Sequence, residues 1–155
     1  MGVGFATVVK GSGARVTWLN EHARVIVDLA GEVTIHTGLS PHGQGTVTTL
    51  AQMTADALEV TPADVQVLHS DTDVLPEGRG TTGSRGLIVG GTALNVVLQK
   101  ARQKWTAIAA HLLDCEPEDV VIQDRSAFNQ RDRQQAVPFF RLAEAPYIEE
   151  LLPPG

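Results

Sequence analysis

The 155-residue chain has a single cysteine, few aromatic residues (5%) and no long apolar run. Because Cys115 has no second cysteine to pair with, an internal disulfide, a cysteine-rich metal site and a dithiol redox pair are all excluded. No apolar stretch approaches the roughly 18 residues that a bilayer requires, and the first residues are too mixed for a signal peptide. We therefore expect a cytoplasmic protein with no membrane partner.

Positive charge is scarce as well: 12 Lys and Arg residues stand against 18 Asp and Glu residues, a formal net charge of −6. General nucleic-acid binders need an excess or a stripe of Lys and Arg, so we expect no nucleic-acid partner. The hydrophobic fraction of 43% is typical of globular proteins, and the length fits one domain over residues 1–155. Residues 145–155, which contain three prolines, are predicted to be an irregular tail or linker.

The hydrophobic pattern changes period near Gly45. Before it, alternating stretches separated by short turns predict an antiparallel meander with strands at residues 3–10, 15–19, 23–27 and 32–36. After it, helical spacing predicts two principal helices, which begin near Val47 and Leu94 and are separated by a strand at 65–69. A late hairpin at 120–128 and a short helix at 137–143 follow. The fold class predicted is α+β, with a mainly antiparallel or mixed sheet covered by two principal helices.

Two glycine-bounded turns, Pro41–Gly45 and Gly80–Gly86, stand immediately before the two helical patterns. Glycine lets the backbone approach a ligand closely, and the first turn of a helix presents unpaired N–H groups at a positive dipole end. The second turn adds hydroxyl groups and the guanidinium of Arg85. These turns predict a ligand with several anionic groups, although each could also be only a tight turn whose polar groups cap the next helix.

Other residues that could form a functional site are explained by local structure or lack the required spacing. Asp71, Asp73 and Glu77 offer oxygen ligands to a cation, but Asx turns explain them more simply. The five histidines form no i, i+4 pair, so no metal site is predicted. Neither glycine turn fits the phosphate loop or the GxGxxG fingerprint of common nucleotide-binding folds, and no serine lies in a nucleophile elbow.

The glycine turns also belong to a longer ordered series of motifs. In chain order, the series is Gly38-x-x-x-x-Gly43-Gln44-Gly45-x-x-Thr48, Leu50-Ala51-Gln52, Pro62-x-Asp64-Val65, Asp71-Thr72-Asp73, Pro76, Gly80-Thr81-x-Gly83-Ser84-Arg85 and Val89-Gly90-Gly91. It resembles the molybdenum-binding large subunit of the xanthine dehydrogenase, aldehyde oxidase and carbon monoxide dehydrogenase family. The resemblance runs from Gly2 to about Arg102, with a looser continuation to the end.

The resemblance implies a cofactor, a reaction and partners. The cofactor is a molybdopterin dinucleotide, in bacteria commonly the cytosine form, and the residues implied to line its site are Gly43, Gln44, Gly45, Thr82, Gly83, Ser84 and Arg85. The family hydroxylates aldehydes or heteroaromatic rings with oxygen from water. Its electrons leave through iron–sulfur clusters and usually a flavin, which lie on other domains or subunits. The partners implied are those subunits and the remainder of the molybdenum-binding subunit.

The family's motifs upstream and its downstream glycine–glutamate motif, which supplies the catalytic base, have no counterpart in this sequence. No catalytic residue is therefore assigned. We expect a portion of a molybdopterin-binding domain that alone binds the cofactor weakly or not at all and does not turn over substrate. The alternative is a separate structural or interaction module of the same fold without cofactor chemistry. In either case, exposed apolar docking surface would favour self-association.

Overall fold

The protein is described by a computed structural model, which covers residues 1–9, 20–75, 77–148 and 152–153. Its strands and helices, in chain order, are β1 (Ala23–Val27), β2 (Val33–Thr37), α1 (Thr46–Leu58), β3 (Val65–His69), α2 (Thr92–Leu112), β4 (Val120–Gln123), β5 (Ser126–Asn129), β6 (Asp132–Pro138) and α3 (Phe139–Glu144). Short helical turns lie at Pro62–Asp64, Gly86–Gly91, Pro117–Asp119 and Ala145–Tyr147, of which Gly86–Gly91 is a π-helix that leads directly into α2.

The first sheet is mixed and has the order β1-β2-β3. The strands β1 and β2 form an antiparallel hairpin, whereas β3 returns parallel to β2 after the crossover through α1. The second sheet is an antiparallel meander with the order β4-β5-β6. The hairpin between β4 and β5 turns at Asp124 and Arg125, which both adopt left-handed backbone conformations as tight hairpins require. The α+β prediction, with a mixed sheet and two principal helices, is confirmed.

The hydrophobic core lies between the first sheet and the helices α1 and α2. Residues at alternate positions of β2, Val33 and Ile35, point to the core, as a strand with one buried face requires. The helix α1 contributes Leu50 and Leu58 at helical spacing. Farther along, Trp105 of α2 contacts Phe139 with ring centroids 4.8 Å apart, which joins α3 to the same core.

Sequence and structure differ at the N-terminus and around the last strands. The strand predicted at 3–10 is wrong for the described residues 1–9, which form no strand and are exposed, with Phe5 95% accessible. The strand predicted at 15–19 lies outside the described residues. The helix predicted at 137–143 instead begins at Phe139, because Val137 still pairs with Ala127 in the second sheet. The tail predicted from residue 145 opens with a helical turn in which Ala145 is fully buried.

Two similar segments launch β3 and β4. In the first, the short helical turn Pro62–Asp64 follows Thr61, and in the second, Pro117–Asp119 follows Glu116. Proline begins each turn and an aspartate ends it. Each segment therefore ends the preceding helix and connects it to the next strand, as the sequence predicts. None of the helices in the described part of the chain is long and apolar enough to cross a membrane.

Asp64 ties the first of these turns to the second sheet. Its Oδ2 accepts hydrogen bonds from the backbone N–H of Thr61 (2.9 Å) and from the Thr61 hydroxyl (2.8 Å), and its Oδ1 lies 3.2 Å from the Arg125 guanidinium. The hydrogen bonds from Thr61, followed by the charge of Arg125, lower the pKa of Asp64 below its ordinary value.

A depressed carboxylate pKa stabilises the fold only while the carboxylate is ionised. We predict that Asp64→Ala lowers the free energy of unfolding at pH 7 by about 1 kcal/mol, the usual size of a capping contribution. The difference from the wild type should shrink as the pH falls below 3.8, the ordinary value, and vanish below the lowered pKa. Urea unfolding at pH 7, 4 and 2.5 checks this, with the exposed Asp56→Ala as control. A difference that does not depend on pH would contradict the assignment.

Candidate functional site

A cleft of about 400 Å³ opens between the N-terminus of α1 and the loop that precedes the π-helix. Both glycine-bounded turns predicted from the sequence border it, on opposite sides. The residues that line the cleft are His42, Gln44, Thr46, Thr49, Leu50, Thr81, Thr82, Gly83, Ser84, Gly86 and Leu87. Four of the seven predicted site residues are therefore cleft-lining residues, and Gly43 and Gly45 flank Gln44 in the chain.

The first turn contains two glycines whose backbone is open to solvent. Gly43 and Gly45 have φ angles of +97° and +80°, which side chains rarely adopt, and a Cβ placed on either would meet no atom within 4 Å. Both glycines thus face open space in addition to making the turn possible. Between them, the Oε1 of Gln44 accepts a hydrogen bond from the backbone N–H of His42 (2.7 Å), which orients the amide and leaves its NH₂ group to donate.

The helix α1 begins without a side-chain cap. Gly45 is its N-cap residue and makes no side-chain capping hydrogen bond. The first regular bond of the helix runs from the backbone N–H of Thr49 to the carbonyl of Gly45 (3.0 Å). Because the N–H groups of the first turn have no partner within a helix, those of Thr46 and its successors are directed to the N-terminal end. The dipole of the 13-residue helix makes this end attractive to an anion.

The second turn supplies hydroxyl groups on a strained backbone. Gly80, Gly83 and Ser84 have φ angles of +62°, +54° and +59°. Ser84 thus adopts a left-handed conformation that costs a non-glycine residue free energy and calls for support from its surroundings. Thr81 connects the two sides of the cleft, because its hydroxyl oxygen accepts a hydrogen bond from the backbone N–H of Ser40 (2.9 Å).

Arg85 turns away from the cleft. Its side chain is fully buried, and its Nη1 lies 2.7 Å from the Oε2 of Glu21, whose side chain is also fully buried. The same Nη1 donates to the carbonyl of Gly80, and Nη2 donates to the carbonyl of Asn20, each at 2.7 Å. The direct contact with the cofactor that the resemblance implies for Arg85 stays a prediction, and the geometry shows a guanidinium that fastens the loop from behind.

Glu21 is the residue of this site that the sequence did not reveal. It lies in a predicted turn, Asn20-Glu21, where a carboxylate is ordinarily solvated, and its partner is 64 positions away. Around it the backbone is tightly packed: a Cβ on Gly38 would overlap both the Glu21 carboxylate and the Cα of Gly78. The motif series included Gly38, but nothing in the sequence connected that glycine with Glu21.

The cleft offers donors without fixed charge. Among the described residues that line it there is no Asp, Glu, Lys or Arg, although the whole chain has a net charge of −6. The same described lining includes the imidazole of His42 and the apolar residues Leu50 and Leu87. A ligand that fits this cleft has anionic groups, which accept hydrogen bonds from the backbone N–H and hydroxyl groups. It also has an apolar part that can contact the leucine side chains.

The remaining candidate acidic and thiol groups have structural roles or are unreactive. The carboxylate of Asp71 accepts a hydrogen bond from the backbone N–H of Asp73 (2.9 Å), as in an Asx turn. Within the described residues, no group of three His, Cys, Asp or Glu side chains is placed to hold a metal ion. Burial, followed by the charges of Asp119, Asp114 and Glu116, raises the pKa of the Cys115 thiol, so this cysteine stays protonated at neutral pH.

Comparison with known proteins assigns the family of this chain. A family model described as "Molybdopterin cofactor-binding domain" matches residues 1–152, and the chain belongs to this family. The resemblance inferred from the motif series is thereby confirmed. The structure superposes on quinoline 2-oxidoreductase from Pseudomonas putida 86 with a TM-score of 0.75 and 33% identity, covering 87% of this chain and 17% of that one.

Curated relatives include two proteins of Paenarthrobacter nicotinovorans. The large subunit of nicotine 6-hydroxylase is 35% identical over 133 residues, which cover 80% of this chain and 16% of that protein. Subunit gamma of the 6-hydroxypseudooxynicotine dehydrogenase complex is 32% identical over 145 residues, which cover 94% of this chain and 18% of that protein. The chain therefore spans less than a fifth of the length of these relatives.

The residues present fit a cofactor with a phosphorylated tail. The backbone at Gly43 and Gly45, which flank the cleft-lining Gln44, is open to approach because no atom lies within 4 Å of the position that a Cβ would take. The uncapped start of α1 and the hydroxyls of Thr82 and Ser84 supply donors on two sides of the same cleft. Such an arrangement holds phosphate oxygens without a metal or a basic side chain.

The buried ion pair leads to a stability prediction. We expect Arg85→Met to lower the free energy of unfolding by about 3–5 kcal/mol, because it leaves the Glu21 carboxylate buried without its charged partner. The control is Arg141→Met, which breaks an ion pair of the same 2.7 Å length whose side chains are 42% and 35% exposed. That change should cost no more than about 1 kcal/mol. Equal losses in urea unfolding would show that burial of the Glu21–Arg85 pair has no energetic consequence.

Proposed function

We propose that the cleft binds the dinucleotide tail of the molybdopterin cofactor, in its cytosine form, and that its pyrophosphate lies between the two glycine-bounded turns. The observation that carries this proposal is that the uncapped α1 N-terminus and the Thr82–Ser84 turn border one cleft, whose described lining residues include no acidic side chain. Family membership supports the cofactor, and the donor chemistry supports the part of the cofactor that this cleft receives.

The two turns have different tasks in this proposal. Gly43 and Gly45 admit the phosphates to the backbone, and the Gln44 NH₂ group donates to a phosphate or nucleoside oxygen. On the opposite side, the Thr82 and Ser84 hydroxyls and the backbone at Gly83 complete the ring of donors. Arg85 contributes indirectly, because its side chain donates to the carbonyl of Gly80 and so supports the loop from behind. The apolar contact offered by Leu50 and Leu87 suits the nucleoside rather than the phosphates.

The reaction belongs to a larger protein of which this chain corresponds to a part. When bound, the cofactor supplies a molybdenum centre that hydroxylates an aldehyde, a heteroaromatic ring or a related substrate with oxygen from water. None of the residues that line the cleft is proposed as a catalytic base, so this chain positions the cofactor and does not itself turn over substrate. The proposed partners are the remainder of the molybdenum-binding subunit and domains or subunits with iron–sulfur clusters and a flavin.

The exposed apolar residues near the N-terminus agree with such partners. Val3, Phe5, Val8 and Val9 are between 83% and 101% accessible, and a chain that functioned alone would gain from burying them. We propose that they contact the remainder of the subunit.

A titration with cytidine diphosphate tests the proposed cleft in the 155-residue chain. We predict weak binding, in the millimolar range, because one nucleotide fragment makes only part of the cofactor's contacts. Amide resonances of Gly43–Thr46 and Thr81–Ser84 should shift in nuclear magnetic resonance spectra. Thr82→Val, which removes one hydroxyl donor, should weaken binding by about fivefold.

The matched control is Gln52→Ala, which changes an exposed residue of α1 outside the cleft. It should leave the dissociation constant unchanged, whereas Gln44→Ala should raise it. Adenosine and guanosine diphosphates test the cytosine assignment. If the natural cofactor is the cytosine form, both should bind more weakly than cytidine diphosphate. Shifts that spread over the surface, or none at all, would contradict the proposal.

A further inference from the structure

We propose that Glu21 is a positioning residue for the cofactor cleft: its buried carboxylate holds Arg85 turned inward and thereby fixes the Gly80–Ser84 wall. This inference rests on the proposed function, because it concerns the same cleft. Glu21 itself is not one of the described residues that line the cleft, so its effect on binding is indirect, and the 2.7 Å ion pair makes Arg85 the proposed route.

The Arg85 guanidinium joins two segments that are distant in sequence. It contacts the Glu21 carboxylate and the Asn20 carbonyl on one side and the carbonyl of Gly80 on the other, all at 2.7 Å. The Arg85 backbone N–H also donates to the carbonyl of Thr82 (3.0 Å). The loop that forms the second wall is thus held at Gly80 by the side chain and at Thr82 by the main chain of one residue.

Glu21 is itself fixed on its second oxygen. Its Oε1 accepts a hydrogen bond from the backbone N–H of His22 (3.2 Å), and Gly38 packs so closely that any side chain there would overlap the carboxylate. The His22 ring contacts the carbonyl of Glu77 (3.0 Å), which begins the same loop. A carboxylate restrained in this way defines a single place for the guanidinium.

The wall needs this restraint because its conformation is unfavourable in isolation. Ser84, a non-glycine residue at φ +59°, carries backbone strain and directly precedes Arg85, and Gly80 and Gly83 leave the free segment many other conformations. Without an external tether, the segment would relax among other backbone conformations, and its hydroxyl and N–H donors would no longer converge on the ligand. The inward Arg85 side chain is the tether, and Glu21 is the charge that keeps it there.

The test measures cytidine diphosphate binding and amide hydrogen exchange in the 155-residue chain. Glu21→Gln keeps the shape of the side chain and removes its charge. We expect it to weaken binding by about tenfold and to speed exchange at Thr82–Ser84, while amides inside α1 keep their wild-type rates. The control is Glu144→Gln, at the partly exposed ion pair with Arg141, which should change neither quantity.

A double-mutant cycle separates positioning from general destabilisation. If Glu21 acts through Arg85, then Glu21→Gln adds no further loss of affinity in the Arg85→Met background. Losses that add, or a Glu21→Gln chain that binds with wild-type affinity, would overturn the inference. A wild-type chain that does not bind cytidine diphosphate would instead overturn the proposed function, so the two failures differ.

A milder variant applies if Glu21→Gln or Arg85→Met does not fold. Arg85→Lys keeps the positive charge beside Glu21 but cannot contact Glu21, Gly80 and Asn20 with a planar fork. It should fold, as judged by circular dichroism, and still bind several-fold more weakly than the wild type with faster exchange at Thr82–Ser84. A folded Arg85→Lys chain with wild-type affinity and exchange would overturn the inference.

Discussion

The ion pair between Arg85 and Glu21 is the contact that the cleft depends on most. Two charges are removed from water there, and this costs several kcal/mol for each ion unless close contacts compensate. The compensation is visible in three 2.7 Å contacts of one guanidinium. Because these contacts reach Asn20, Glu21 and Gly80 together, the loop on one side of the cleft cannot shift without breaking a buried charge pair.

The other side of the cleft is positioned by the packing of α1. Gly45 ends the turn and begins α1, and the buried face of α1, with Leu50 and Leu58, fixes the direction of the helix against the first sheet. The helix therefore presents its N-terminal N–H groups in a set position. One wall held by an ion pair and one held by core packing give a cleft whose donors are neutral and preorganised, which suits a ligand that brings several negative charges.

Family membership and geometry address different questions. The family model establishes a molybdopterin cofactor-binding domain, and the relatives are much longer proteins, one of them a subunit of a dehydrogenase complex. The geometry adds a cleft in which the start of α1 and the Thr82–Ser84 turn, both rich in N–H and hydroxyl donors, come together.

The sequence was informative where local chemistry decides the structure. Glycine at positions 43, 45 and 83 indicated the turns, and helical spacing from Leu50 to Leu58 indicated α1. It was uninformative where partners are distant: nothing near Arg85 indicated that its guanidinium turns inward to a carboxylate 64 positions earlier. The β-prone residues 3–9 illustrate the same limit, because strand propensity is realised only beside a neighbouring strand.

The most direct measurement is a crystal structure of the chain with cytidine diphosphate bound. We expect the diphosphate to lie between the first N–H groups of α1 and the Thr82–Ser84 turn, with Arg85 still turned inward to Glu21. A diphosphate bound elsewhere would contradict the assignment of the cleft. An Arg85 side chain turned outward to the phosphates would contradict the tether and restore the direct contact that the sequence motif implied.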